Sequence, residues 1–467
     1  MIKNRDKDYT FYEAAISLCS LCLKRVDAKV VLKDNSVFLK KYCPQHGEQI
    51  ELFEEDIEYF LKKRHYDKPG TSCKTQTKAE KGCPFDCGLC PNHDQHTCIG
   101  LIEITNKCDL NCRVCYSNAG SGTFLSLTEI EKMMDLYQDS EFNTAEIIQI
   151  SGGEPAAHPE IIEIIRMAKR KGFKYVMLNT NGIRIANDED FAAKLREFTG
   201  GFEVYLQFDG LVSKAYSYFR GQDLSQIKRK AVENLAKYKV PITLVCMVEN
   251  EINDNELGEI IEFGIKTKYI RGINFQPVSY SGRTLGEPPQ NRITLSGIIK
   301  RIESQTNKMI IKDDFVPLPC NVERVAVSYL YKSDKGFIPV TRNSSIKKHI
   351  SKINNTFFFK VEDVLKETAG EGVCNCLGFL KDFKKLMPKD FNKKSKDERM
   401  EYINDNTFRI SITSFVDAYN FDLKSMQKEC VHIITPDMRK IPFSAYNMLY
   451  RNSQLRGSRM DENRANA

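Results

Sequence analysis

Residues 99–120 read IGLIEITNKCDLNCRVCYSNAG. The stretch opens as an apolar alternation ending at Thr105, the pattern of a strand that lays one face on a core. Cys108, Cys112 and Cys115 follow in a CxxxCxxC spacing. Three thiolates on one loop can hold three irons of a [4Fe–4S] cluster and leave the fourth without a protein ligand. That open iron can take a small molecule.

Beyond this loop the chain repeats one unit. TAEIIQISGGEP (144–155) is a buried run entering Gly152, Gly153, Glu154 and Pro155, and KYVMLNTNG (174–182), GFEVYLQFDG (201–210), PITLVCMVEN (241–250) and RGINFQPV (271–278) read as further strands. HPEIIEIIRMAKRKG (158–172) and LSQIKRKAVENLAKYK (224–239) carry helical periodicity between them. Alternation at this spacing predicts an α/β fold, a partial (β/α)6 barrel over 99–304, with the polar motifs at strand C-terminal ends where such barrels place their sites. Cys246, inside LVCMV, reads as core packing.

This order of motifs resembles the radical S-adenosylmethionine (SAM) superfamily. The resemblance implies that Cys108, Cys112 and Cys115 bind the catalytic cluster and that Gly152, Gly153, Glu154 and Pro155 hold the methionine part of SAM. Asn179, Asn181, Gln207 and Asp209, at the ends of the third and fourth strands, are candidates for hydrogen bonds to the ribose and carboxylate, with ordinary strand-end capping as the alternative. Many members carry an aromatic residue just before the last cysteine. Here Val114 stands there and the aromatic follows as Tyr116, so one of the two is expected to line the SAM pocket. One electron into such a cluster cleaves SAM to methionine and a 5′-deoxyadenosyl radical able to take hydrogen from an unactivated carbon.

The chain has 16 cysteines and begins without an apolar signal-peptide core. In a reducing cytosol these cysteines point to metal rather than disulfides. In residues 1–65, Cys19 and Cys22 form a CxxC answered by Cys43 and His46, with two short strands and a polar turn at Asp34, Asn35 and Ser36 between them. Two knuckles on a hairpin can hold one tetrahedral zinc or iron, the fold of a zinc ribbon or rubredoxin. In residues 66–98, Cys83, Cys87 and Cys90 repeat the CxxxCxxC spacing without a second GGEP, and read as an auxiliary [4Fe–4S] cluster. Cys98 is the first choice for its fourth ligand, Cys73 the second, with His93 and His96 as alternatives. Residues 305–467, an α+β region expected to shape the substrate cavity, contain Cys320, Cys374, Cys376 and Cys430, which could enclose another cluster.

At 467 residues, net charge +7, 28% charged and mean hydropathy −0.42, the composition excludes disorder and offers no apolar run long enough for a membrane helix. The basic stretch from Lys381 to Lys396 is interrupted by acids, so nucleic acid is not expected as a partner. A cytosolic protein follows, leaving peripheral membrane contact open. The order CxxC/CPxHG, CPxxCGLC, CxxxCxxC and SGGEP resembles the archaeal tetraether lipid synthase family and its bacterial relatives, a group that includes archaeal dihydropterin methyltransferases. The resemblance covers roughly residues 15–285. It implies carbon–carbon bond formation between lipid chains, driven by a low-potential donor of the ferredoxin or flavodoxin type. The alternative is a radical SAM methyltransferase or modifying enzyme acting on a pterin, peptide or other small molecule.

Overall fold

The structure is a computed structural model that describes residues 7–287, 289, 292–333, 336–342, 390–395, 398–399, 402 and 405–451. Cys374 and Cys376 lie outside the described residues.

The chain begins with a four-stranded antiparallel sheet in sequence order, β1 (Thr10–Leu18), β2 (Arg25–Lys33), β3 (Ser36–Cys43) and β4 (Gly47–Glu54). The β2–β3 turn is the expected polar one. Asp34 and Asn35 both adopt positive φ, as a two-residue hairpin turn with the right twist requires. Helix α1 (Ile57–Lys63) follows, capped by the Asp56 carboxylate on the Tyr59 N–H.

The second sheet is built on six parallel strands, β5 (Ile99–Glu103), β6 (Ile147–Ser151), β7 (Tyr175–Thr180), β8 (Phe202–Gln207), β9 (Ile242–Val248) and β10 (Ile270–Pro277). Helices α2 (Leu127–Ser140), α3 (Ile161–Arg170), α4 (Ile183–Asn187), α5 (Glu189–Leu195), α6 (Ser213–Arg220), α7 (Ser225–Lys237) and α8 (Leu257–Lys266) connect them. The period of two along each strand sorts the side chains. Ile148, Leu178, Leu206 and Cys246 join the core under the helices, as expected for Cys246. Their neighbours Gln149, Asn179, Gln207 and Val245 face the barrel cavity.

The expectation of six strands is extended by the C-terminal region. After α9 (Leu295–Gln305) come β11 (Val316–Pro317), β12 (Val325–Ser333), β13 (Gly336–Pro339) and β14 (Thr407–Thr413), then β15 (Val431–Ile434) and β16 (Lys440–Pro442). Strand β14 adds in parallel to β10 and β15 in parallel to β5, making eight parallel strands among the described residues. All four residues of β15 are buried, so its apolar side chains need a place inside the sheet, which the edge of β5 supplies. Strands β12 and β16 continue the two edges antiparallel.

Glu203 and Arg409, 3.4 Å apart, close the barrel floor with help from Tyr175 and Thr243. The small sheet is joined to the barrel where the Glu54 and Glu55 carboxylates accept the N–H groups of Ser296 and Thr294 at the start of α9. No helix among the described residues is long and apolar enough to cross a membrane.

Tyr137 on α2 ties the first two barrel strands together. Its hydroxyl accepts from Gly100 N–H (3.1 Å) and donates to the Ile147 carbonyl (3.0 Å) in a fully buried setting. Tyr137→Phe leaves both backbone groups without that partner and is expected to lower unfolding stability by about 1–3 kcal/mol, read from the denaturant midpoint at constant slope.

Candidate active site and metal centres

The C-terminal ends of the barrel strands open onto a cavity of about 200 Å³. Cys108, Cys112 and Cys115 line it together with Gly152, Gly153 and Glu154. The glycines are required by a close approach. A Cβ on Gly152 would stand 2.2 Å from the Thr105 carbonyl oxygen, and one on Gly153 2.2 Å from that of Lys107. Without side chains the two backbones join: Gly153 N–H donates to Thr105 O (2.7 Å) and Glu154 N–H to Lys107 O (2.8 Å). The turn after β6 thereby holds the loop after β5, whose three cysteines line the cavity. Three cysteines on one loop at the cavity fit a cluster that Cys108, Cys112 and Cys115 would hold.

Glu154 is buried, and its carboxylate accepts from Thr180 Oγ1 (2.6 Å), Asn181 N–H (2.7 Å) and Ala156 N–H (2.9 Å). Burial outweighs these donors and pushes its pKa up to about 7. Burial likewise pushes the Cys108 thiol up to about 12, so a metal bound there must displace a tightly held proton.

Asn179, Asn181, Gln207 and Tyr116 all line the cavity, as does Val114, so both candidates at the aromatic position reach it. Asn181 also donates to Asp109 Oδ1 (2.6 Å), fixing the cluster loop. Pro155 is buried and starts a short 3-10 turn, away from the cavity wall. Asp209 departs from expectation. Its carboxylate is fully buried and already occupied by Arg220 (2.7 and 2.9 Å), Met247 N–H (3.2 Å) and the Gln207 amide. Asp209 therefore orients Arg220, and the guanidinium is what lines the cavity beside Cys112. Arg220 was missed in the sequence because it sits at the end of a helix, where a basic residue before glycine reads as an ordinary C-terminal cap. Thr413, Phe415 and Phe443 were missed because nothing local shows that the C-terminal strands flank the barrel.

The four N-terminal ligand candidates come together on the small sheet. The ligand atoms of Cys19, Cys22, Cys43 and His46 lie within 4.8 Å of one another. Cys22 and Cys43 sulfurs are 3.9 Å apart, close to the roughly 3.8 Å separation of two thiolates on one tetrahedral zinc. Burial pushes the Cys19 thiol up, but N–H donors from Cys22, Leu21 and Gln49 bring it down to about 6.

Cys83, Cys87 and Cys90 line one recess, shared with His93. Neither Cys98 nor Cys73 lines it. The expectation that Cys98 completes this group is corrected: its sulfur gathers with those of Cys320 and Cys430 within 4.8 Å. Register is the cause. Val431 of β15 pairs with Ile99 of β5, which brings Cys430 beside Cys98, and the Cys98 N–H donates to the Cys430 carbonyl (2.9 Å). Hydrogen bonds from Cys430 and Cys98 hold the Cys320 thiol well below its usual range. His96 stands 3.6 Å from the Cys98 sulfur through Nε2. The two histidines are thus divided, His93 to the Cys83 recess and His96 to this trio.

Residues 102–264 match the radical SAM superfamily, and residues 11–55 match the HMPTM N-terminal zinc ribbon domain. A 7,8-dihydro-6-hydroxymethylpterin dimethyltransferase of Methanocaldococcus jannaschii is 36% identical over 483 aligned positions, covering 93% of each chain. A probable GTP 3′,8-cyclase of Pyrococcus abyssi is 26% identical over 59% of this chain and 83% of its own. Among solved structures, Streptococcus suis SuiB bound to S-adenosylmethionine overlays with a TM-score of 0.39 at 17% identity, over 47% of this chain and 49% of that one.

Cys112→Ala is expected to abolish 5′-deoxyadenosine formation under reducing, anaerobic conditions while the Cys19/Cys22/Cys43/His46 centre keeps its metal. SAM cleavage at the wild-type rate would remove this loop from the site.

Proposed function

Since this chain belongs to the radical SAM superfamily, in one family with the Methanocaldococcus jannaschii pterin dimethyltransferase, we propose that it is a radical SAM methyltransferase acting on a pterin or a related flat, nitrogen-rich heterocycle. The observation that carries the substrate class is the lining of the barrel cavity. Amide and hydroxyl groups of Gln149, Tyr205, Asn274, Gln276 and Thr413 alternate there with apolar side chains of Leu101, Val245, Met247, Phe415 and Phe443. Apolar surfaces suit the faces of a ring system, and amides and hydroxyls suit its polar edges. An alkyl chain against the same amides would gain nothing from them and would strip them of water. This favours the pterin reading over the coupling of lipid chains that the motif order first suggested.

When bound, the cluster and SAM supply a radical that removes hydrogen from an unactivated carbon. The chain's own residues do the rest. Cys108, Cys112 and Cys115 would hold the cluster. The turn at Gly152, Gly153 and Glu154 would meet the amino end of methionine, and Arg220, braced by Asp209, would meet its carboxylate with a charge-assisted hydrogen bond. Asn179, Asn181 and Gln207 remain for the ribose. Tyr205 and Thr413 are held in place through Asn274, whose amide donates to Tyr205 (2.5 Å) and accepts from Thr413 (3.0 Å), so the polar wall is set before substrate arrives. Phe415, Phe443 and Tyr116 would exclude water on the opposite side.

Two further centres accompany this reading. Cys83, Cys87 and Cys90 with His93 suit an auxiliary cluster, and Cys98, Cys320 and Cys430 with His96 suit another metal. A cytosolic location and a ferredoxin- or flavodoxin-type donor go with it.

The test is anaerobic turnover of the reconstituted protein with 7,8-dihydro-6-hydroxymethylpterin or, separately, a deuterated lipid extract. The pterin is expected to stimulate 5′-deoxyadenosine formation and, with a second SAM or an added one-carbon carrier as the methyl donor, to gain methyl mass. Deuterium passing from lipid into 5′-deoxyadenosine, with the pterin inert, would reverse the assignment.

A further inference from the structure

The small sheet and the barrel mouth share a buried connection that the chemistry above does not use. After β14 the chain runs through residues 414–422 along the barrel rim before the turn of helix Leu423–Gln427. Phe415 in this strap lines the cavity and meets the Tyr116 ring edge-on, 5.7 Å between centroids. Asp417 fastens the strap to the loop after β10, accepting from Tyr280 N–H (2.9 Å) and Arg292 (2.8 Å). That loop in turn supports the cysteines: Arg283 N–H donates to the Cys115 carbonyl (3.0 Å), and its guanidinium to the carbonyls of Cys112 and Ala119.

The other side of the strap is held by the metal-binding sheet. Lys41, two residues before Cys43, is 2% exposed. Its ammonium donates to the carbonyls of Ala418 (2.8 Å), Tyr419 (3.1 Å) and Leu18 (2.8 Å), and Leu18 directly precedes Cys19. Ser17 Oγ adds a bond to the Phe421 carbonyl (2.7 Å). All three ammonium donors thus end on backbone carbonyls, two of them in the strap. A buried ammonium whose hydrogen bonds all end on carbonyls, with only the more distant Glu51 and Asp417 carboxylates to favour its charge, is costly, and it fixes the strap only if the root of the side chain is itself fixed. Cys43 lies just beyond that root, and Cys19 lies just beyond the carbonyl that steadies the ammonium. One metal across Cys19, Cys22, Cys43 and His46 immobilises both.

We propose that the metal-binding sheet is a positioning device for the radical site: its metal fixes Leu18 and Lys41, and Lys41 holds strap 417–421 so that Phe415 closes the cavity. Lys41 is a positioning residue. The metal passes no electron in this role, so zinc and iron serve alike. The inference needs only SAM cleavage and is independent of the pterin assignment.

Hydrogen–deuterium exchange of the strap amides in the reconstituted protein tests it, with the metal content of the sheet measured in each sample. Lys41→Met is expected to retain that metal yet exchange the amides of 416–421 about tenfold faster, while Lys41→Arg, which can still donate to the carbonyls, keeps most of the protection. In a second arm, protein whose N-terminal centre carries zinc, verified by X-ray absorption, is expected to form 5′-deoxyadenosine as fast as protein carrying iron there. Unchanged strap exchange in metal-retaining Lys41→Met, or cleavage with iron but not zinc, would overturn the proposal.

Discussion

Two backbone hydrogen bonds, from Gly153 to Thr105 and from Glu154 to Lys107, set the geometry on which the rest of the site depends. They form because neither Gly152 nor Gly153 has a side chain to keep the strands' end loops apart, and Gly152 also adopts a φ of +130°. Once the loops are joined, Glu154 reaches the end of β7 through Thr180 and Asn181, and Asn181 returns to Asp109 on the cysteine loop. The result is a closed circuit across three adjacent strands. This circuit fixes the loop that carries the cysteines.

Around it the barrel interior holds an unusual amount of buried charge. Glu203 with Arg409 fills the floor, Asp209 with Arg220 forms part of the wall, and Lys228 donates to the Asn181 carbonyl and to Gln207. Burial pulls the Lys228 ammonium down to about 7. Buried ion pairs contribute little net stability, because desolvation offsets much of their attraction. The effect of the other two is directional: Asp209 fixes Arg220, and Lys228 fixes Gln207 and the Asn181 carbonyl, so that these groups at the cavity need not reorganise when a charged ligand enters.

Much of this was legible in the sequence where the determinant was local. Strands β5 to β10 announced themselves because each is an apolar run ending in a polar turn, and the N-terminal centre because its four ligands sit on one hairpin sheet with fixed knuckle spacing. The glycines of SGGEP were legible as a motif, although their steric reason, the Thr105 and Lys107 carbonyls, was not. What sequence order could not show is pairing at a distance. Cys98 was joined to the nearest cysteines, whereas β15 enters beside β5 and delivers Cys430 to it. Asp209 reads as a ligand candidate or strand-end cap, whereas α6 returns Arg220 to it. Phe415 reaches the cavity only because β14 adds to β10.

In the proposed function, the loop of Cys108, Cys112 and Cys115 and the turn at Gly152–Glu154 act as one SAM-binding unit. Electron paramagnetic resonance of the reduced protein, recorded with and without SAM in wild type and in Gly153→Ala, addresses it directly. SAM is expected to shift the signal of one [4Fe–4S] cluster in the wild type and to leave Gly153→Ala unshifted. A wild-type spectrum indifferent to SAM, or an undiminished shift in Gly153→Ala, would contradict the account.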